Sequence, residues 1–327
     1  MLRLRIGVAG LGRAFRLMSP AFADPRVELV AAADLRNPGF KGRFVESVEA
    51  LCRDPGVDVV YVATPHQLHA EHACLAARHG KHVLVEKPMA LTLEDCARMV
   101  NAARTAGVAL VVGPSHGFDA PILQARELIA SGRHGSLRMM TALNFTDFLT
   151  RRPRDALDTV FVNQAPHQVD LVRMLSPGEV VSVRAHGGEA GYSALLGFDD
   201  GAFASLNYSG RGHFDSDELM GGIGEMGDAG HHPHFGFVVA SCERADLRPT
   251  PEGVMIYGEG EARLDALPPH AAPRVEVINE LYDAVAHGKA PLHSGTWGMT
   301  TLEVCLAITE SSRSGKEIAL GNRPKNA

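Results

Sequence analysis

The first third of the chain alternates short apolar runs with stretches of helical period. Leu4–Ala9, Val27–Ala33, Val57–Ala63, His82–Glu86 and Ala109–Gly113 are continuous apolar runs, the pattern of strands buried on both faces of a parallel sheet. Between them, Leu68–His79 follows a turn at Thr64-Pro65. Thr92–Ala106 opens on Thr92-x-x-Asp95, which places a threonine to cap the helix. Alternating strands and helices predict a doubly wound α/β domain.

Beyond Gly113 the rhythm changes. A connecting helix is expected over Pro121–Ser131. Then come strands at Leu137–Phe145, Val180–His186, Ser193–Phe198, Ala202–Tyr208, Phe235–Ser241 and Gly253–Tyr257, with a helix at Asn163–Leu175 among them. Successive strands with little helix between them predict an α+β domain on a large, open, mostly antiparallel sheet covered on one face. Residues 209–234, rich in Gly, His and Asp, read as a long loop of the functional or mobile kind. Arg274–His287 and Trp297–Arg313 are helical again. The expected division is a dinucleotide-binding domain over 1–119 and a substrate and oligomerisation domain over 120–327, with the helix near 297–313 packing back on the first.

Composition narrows the class. At 327 residues and 45% apolar content, the chain can bury two cores without disulfides. The net charge of −6 and the small size of the basic clusters argue against nucleic acid, and no apolar run is long enough for a membrane span. The N-terminus runs straight into a strand with no signal-peptide layout. The five cysteines, odd in number and without a C-x-x-C pair, fit reduced thiols. A cytoplasmic protein is expected.

The first apolar run ends in Gly7-Val8-Ala9-Gly10-Leu11-Gly12, followed by Arg13, Ala14 and Phe15 at the start of a helix. Gly10 permits a tight turn, Gly12 lets backbone approach a pyrophosphate, and the helix start offers amide donors. Phe15 stands where a third glycine is usual. Asp34 ends the second run, 24 residues after Gly10, where an acid accepts hydrogen bonds from an adenosine ribose. Its charge repels a 2′-phosphate and favours NAD, while Arg36 close by leaves NADP open.

Three further signatures follow in order: Ala63-Thr64-Pro65 with His69, Glu86-Lys87-Pro88, and His167-x-x-Asp170. With the glycine turn, these make the chain resemble the Gfo/Idh/MocA family of dehydrogenases, from about residue 3 to about residue 180 and more loosely to residue 315. The resemblance implies a nicotinamide-dependent oxidoreductase with a Rossmann domain followed by a substrate domain. It also implies a homodimer or homotetramer through the second domain's sheet. Thr64, Pro65, His69, Glu86 and Lys87 are implied at the cofactor. Within the family, Gly10–Phe15, Thr146–Arg154, Gln164–Leu171 and Ser241–Tyr257 are similar to phthalate 4,5-cis-dihydrodiol dehydrogenases.

The chemistry asks for a base and for a group that steadies an alkoxide. Lys87, at the carboxyl end of a parallel strand, suits the second task. His167 suits the first, and Asp170, on the same helical face, can orient its ring or contact Lys87. Sugar-oxidising relatives usually carry an aspartate four residues before this histidine, where this chain has Asn163. That change favours an anionic substrate over a polyol. Arg151, Arg152 and Arg154 form a cluster able to bind carboxylates bidentately, with His234 and Arg244 as further contacts. His213, His231, His232 and His234 lack the spacing of a metal site, and no metal is expected. Three readings follow: oxidation of a carboxylated aromatic cis-dihydrodiol to a catechol, a sugar or polyol dehydrogenase, and a non-catalytic NAD(H) sensor. Retention of both Lys87 and His167 argues against the third.

Overall fold

A computed structural model describes residues 2–150, 159–228, 230–270 and 272–321. The chain forms two compact units, Met1–Pro114 with Arg274–Leu302, and Ser115–Pro273 with Glu303–Ala327. In place of a single break at 119/120, the chain leaves the first unit after Pro114 and re-enters it at Arg274.

The first unit is a six-stranded, wholly parallel sheet in the order β3-β2-β1-β4-β5-β6. Its elements run β1 (Leu4–Ala9), α1 (Arg13–Met18), β2 (Val27–Ala33), β3 (Arg43–Val45), α2 (Val48–Arg53), β4 (Val59–Val62), α3 (His69–Arg78), β5 (His82–Val85), α4 (Leu93–Ala106) and β6 (Leu110–Val112). The reversal of strand order between β1 and β4 is the switch point at which such sheets bind ligands beyond their carboxyl ends. The core joins Val60, Val62, Val83 and Val85 to Leu51, Cys74, Cys96 and Met99 from the flanking helices. Thr92 caps α4 as its spacing predicts, Oγ1 accepting from Asp95 N–H at 3.1 Å. Neither β3 nor α2 is expected from the sequence pattern. With three and six residues they are too short to show a period.

The second unit begins with α5 (Ala120–Ala130), β7 (Leu137–Phe145), α6 (Val160–Asn163) and α7 (Ala165–Leu175). The helix expected over Asn163–Leu175 is α7, which starts at Ala165, and the short α6 that ends at Asn163 precedes it. Pro166 lies in the first turn of α7, where its missing N–H costs nothing, but it cannot continue a helix arriving from Val160. There follow β8 (Val180–Gly188), β9 (Gly191–Phe198), β10 (Phe203–Ser209), β11 (Phe237–Cys242), β12 (Asp246–Thr250), β13 (Gly253–Tyr257) and β14 (Arg263–Ala266). The helices α8 (Val275–His287) and α9 (Gly295–Ser314) come next, and β15 (Ile318–Ala319) ends the series. The nine strands are ordered β14-β13-β12-β11-β7-β10-β9-β8-β15. All pairs are antiparallel except β7 with β10.

One face of this sheet is buried under α5 and α7 through Met140, Ala142, Leu206 and Leu247. The other is more open: Met139, Leu143 and Phe145 of β7 are half-buried, and Leu195 and Phe203 are exposed. Within the segment 209–234, Ser216 and Glu225 are tied to β7. Ser216 Oγ accepts from Phe145 N–H at 3.1 Å and donates to Asn144 Oδ1 at 3.0 Å, while Asn144 Nδ2 donates to Glu225 Oε1 at 3.0 Å.

Helix α8 belongs to the first unit. Tyr282 Oη donates to Leu2 O at 3.1 Å, and Arg26 Nη2 donates to Asn279 Oδ1 at 2.5 Å. The division falls within α9, between Leu302 and Glu303. Among the described residues, no helix is long and apolar enough to cross a membrane.

Candidate functional site

In the first unit, Gly10 has φ of +96°, in the left-handed region that favours glycine. A Cβ there would lie 2.6 Å from Ala63 O and 2.9 Å from Thr64 N, so β1 and β4 turn against each other at this point. Gly12 faces open space, with nothing within 4 Å of an added Cβ. One glycine is thus demanded by the protein's own backbone. The other leaves a cradle that a pyrophosphate can approach. Helix α1 has only six residues and passes directly into a 3₁₀ turn at Ser19–Ala23. Arg13 is exposed and Ala14 half-buried. Phe15, in the third glycine position, stacks on Phe22 at 6.3 Å, and Phe22 packs on Tyr61 at 5.6 Å. It is therefore a packing residue, its ring set among the unit's own aromatics.

Asp34 closes the turn from the other side. Oδ2 accepts from Leu11 N–H at 2.5 Å and Oδ1 from Leu35 N–H at 2.6 Å. A carboxylate has about four lone-pair sites, so capacity remains for a ribose diol. Arg36 is exposed beyond it.

The Thr64-Pro65 turn and the Glu86-Lys87-Pro88 turn are joined by His69. Its Nε2 lies 2.9 Å from Thr64 O and its Nδ1 3.0 Å from Pro88 O. Burial holds this imidazole below its ordinary pKa, while the two carbonyls, each seeking an N–H, pull the other way. Thr64 Oγ1 pairs with His72 Nδ1 at 3.0 Å. Glu86 is buried and accepts from Tyr61 Oη at 2.5 Å. Burial pushes the Glu86 carboxyl up, opposed by the Arg274 charge, the Tyr61 hydroxyl and the Lys87 charge. The Tyr61 hydroxyl is pushed well above its usual value, first by burial and then by Glu86. Lys87 is half-buried just past β5. Tyr61 was legible as the one aromatic side chain in the run Val57–Ala63, but its partner was not.

In the second unit, His167 and Asp170 share the helix α7, whose residues are all buried. Ser115 Oγ donates to Asp170 Oδ2. Arg173, one turn on, is buried with Nη2 3.7 Å from Glu179 Oε2. Burial draws its guanidinium below the ordinary value, against the pull of Glu179 and Asp170. Asn163 is buried at the end of α6 and accepts from Gln164 Nε2 at 2.8 Å.

Beside His167 stands a pair that the sequence reading does not single out. His116 Nδ1 lies 2.7 Å from Asp119 Oδ2, in a 3₁₀ turn at the start of the unit. The His116 ring packs edge-on to His167 at 5.0 Å, and Phe235 lies 5.0 Å from the first imidazole and 4.9 Å from the second. The available signal was His116-x-x-Asp119, which repeats the spacing of His167-x-x-Asp170.

His234 and Arg244 are engaged elsewhere. His234 Nδ1 accepts from Gly236 N–H at 3.2 Å, so Nε2 carries the proton and donates to Ile223 O at 2.8 Å. Arg244 Nη2 donates to Gly132 O at 3.1 Å and Arg133 O at 2.9 Å, after the end of α5. Arg151, Arg152 and Arg154 lie outside the described residues.

Residues 4–114 match the oxidoreductase family with an NAD-binding Rossmann fold, and residues 122–226 match the GFO/IDH/MocA C-terminal domain. The chain is 42% identical to a 1-carboxy-3-chloro-3,4-dihydroxycyclohexa-1,5-diene dehydrogenase of Comamonas testosteroni, over 98% of this chain and 97% of that one. Among solved structures, a chain of Bordetella bronchiseptica RB50 assigned as a dehydrogenase superposes with a TM-score of 0.91 at 33% identity, covering 98% of this chain and 100% of the other. The WlbA dehydrogenase of Bordetella pertussis, solved with NADH and UDP-GlcNAcA, superposes with a TM-score of 0.75 at 26% identity, covering 98% and 100%.

Proposed function

Since the chain belongs to the Gfo/Idh/MocA family and is an NAD-dependent oxidoreductase, we propose that its substrate is a cis-dihydroxycyclohexadiene bearing carboxylate, of the phthalate dihydrodiol kind, which it oxidises toward a catechol. The observation that carries this reading is the 42% identity, over nearly the whole of both chains, to a dehydrogenase whose name describes a carboxylated dihydroxycyclohexadiene. Asn163 supports it, because a neutral amide replaces a charge that would repel an anion.

The dinucleotide, when bound, supplies the hydride acceptor. The protein's own residues do the rest. The turn at Gly10 and Gly12 and the carboxylate of Asp34 hold the pyrophosphate and the adenosine ribose. Thr64, Pro65, His69 and Glu86 shape the two turns that follow β4 and β5. His167 takes the proton of the reacting hydroxyl, and Lys87 lends a cation to the oxygen as charge develops on it. Asp170, held by the Ser115 hydroxyl, lies one turn from His167 on the same helix. Loss of the ring hydride and the hydroxyl proton gives a hydroxy-enone, whose tautomerisation to an aromatic ring drives the reaction.

The assembly we infer is a homo-oligomer joined through the open face of the nine-stranded sheet, where Leu195 and Phe203 are exposed. The five free cysteines support residence in a reducing compartment.

The test is NADH formation by purified protein with NAD and a panel of cis-dihydrodiols, with and without ring carboxylates, beside inositol and glucose. Turnover confined to carboxylated dihydrodiols is expected, and turnover of polyols alone overturns the substrate assignment. Lys87→Ala and His167→Ala should each lower kcat by about 100-fold or more with NADH affinity little changed. Near-normal kcat in either variant removes that residue from the chemistry.

A further inference from the structure

The pair His116–Asp119 is unused by this mechanism, yet it is built as a base with its orienter. A carboxylate accepts only from a protonated nitrogen, so the 2.7 Å contact assigns the His116 proton to Nδ1. Nε2 is then the ring's working nitrogen. The pair is nearly buried, with side chains 11% and 10% exposed. The edge-on packing, with ring centroids 5.0 Å apart, sets the two imidazoles side by side, near enough for one water to link them. Phe235 leans on both rings and keeps them in register.

We propose that His116, held by Asp119, is the relay residue that receives from His167 the proton taken from the substrate. This rests on the dehydrogenase reading above. The substrate C–H bond breaks with its electron pair, which leaves as hydride to the bound dinucleotide. The O–H bond breaks, C=O forms, and the proton passes to His167. From the His167 imidazolium the proton moves to Nε2 of His116, and the Asp119 carboxylate stabilises the imidazolium so formed. Release to solvent returns both rings to their neutral state. Among the described residues, the charged and titratable groups around the relay within this unit include Asp119 ahead of α5, His167, Asp170 and Arg173 on α7, and Tyr208 of β10, which stacks on Phe235.

The test compares the wild type with His116→Phe, which keeps an aromatic ring against His167 and Phe235, and with Asp119→Asn, which keeps a hydrogen-bonding acceptor without the charge. In dilute buffer His116→Phe should lose about 10- to 100-fold in kcat, with NADH affinity unchanged. Added imidazole should restore most of the loss, because a soluble base can take the proton onward. Asp119→Asn should fall between the two. A kcat for His116→Phe within twofold of wild type, or a loss that imidazole does not relieve, overturns the relay. If the wild type oxidises no alcohol in the panel, the dehydrogenase substrate reading fails separately. The relay is then judged by nitrogen NMR of the labelled imidazoles. An Nδ1–H tautomer at His116, and a His167 titration that moves in His116→Phe, support it. An Nε2–H tautomer or an unmoved titration overturns it.

Discussion

Gly10 and Gly12 belong to one short motif but should respond to alanine in opposite ways. At Gly10 the substitution places a Cβ at φ of +96° and 2.6 Å from the Ala63 carbonyl oxygen. The left-handed conformation costs roughly 1–2 kcal/mol. The overlap is with backbone, so it cannot be relieved by a side-chain rotation, and overpacking of that kind costs roughly 1–3 kcal/mol more. The sum, about 2–5 kcal/mol, corresponds to a fall in Tm of roughly 3–7 °C for a chain of this length, at about 2.1 cal/mol/K of unfolding entropy per residue. At Gly12 the backbone has an ordinary φ of −75° and an added Cβ meets nothing. Gly12→Ala should therefore leave Tm nearly unchanged but obstruct the pyrophosphate, lowering NADH affinity by about tenfold or more, roughly 1.4 kcal/mol. The assay is paired: thermal unfolding without ligand, and NADH fluorescence titration. A Gly10→Ala protein with unaltered Tm would refute the geometry of the turn. A Gly12→Ala protein that binds NADH as tightly as wild type would refute the placement of the dinucleotide there.

Two other outcomes follow from side chains in the same unit. Replacing Asp34 by serine together with Leu35→Arg should raise the preference for NADP over NAD by about tenfold or more; an unchanged ratio in a spectrophotometric assay removes Asp34 from the ribose. Glu86 has its folded-state pKa raised by burial, so its contribution to stability is fully present below the unfolded value of about 4.3 and is lost as pH rises through the folded value. Glu86→Gln, which still accepts from Tyr61, should therefore gain in Tm relative to wild type as pH rises from acid toward neutral, and parallel curves would contradict the assignment.

The parts of the fold that rest on local pattern could be read from the chain. Five of the six parallel strands, the Thr92 cap and the turn at Gly10 each follow from residues within a few positions of one another. What could not be read rests on distant partners. β12 contains Pro249, which argues against a strand, yet it is accommodated because β12 is paired with β11 only at Leu247 and Asp246 and at Pro249 meets β13 alone. The return of α8 depends on contacts with Leu2 and Arg26 that no periodicity announces. At the candidate site, Lys87, His167 and Asp34 were legible as residue types at telling positions. His234 and Arg244 carry equally suggestive side chains, but they are engaged with carbonyls of their own neighbourhood, which side-chain chemistry alone does not reveal. His116 and Asp119 lie in a 3₁₀ turn too short to display a face, and only their spacing hinted at a pair.

The division of α9 bears on how the protein is made. The six-stranded sheet ends at β6, whose Val112 N–H donates to His293 O at 2.8 Å, and the first unit is completed only by residues up to Leu302. The second unit also waits on the tail: Ser311 Oγ accepts from Ala185 N–H at 2.8 Å, and β15 pairs with β8. A nascent chain leaving the ribosome thus holds no finished unit until nearly its last helix emerges. Domains usually fold in the order of synthesis, but here a premature stop in the first turns of α9, before Leu302, leaves neither half whole. Until then β6 carries an open sheet edge, the kind of surface that chaperones guard and that aggregates recruit.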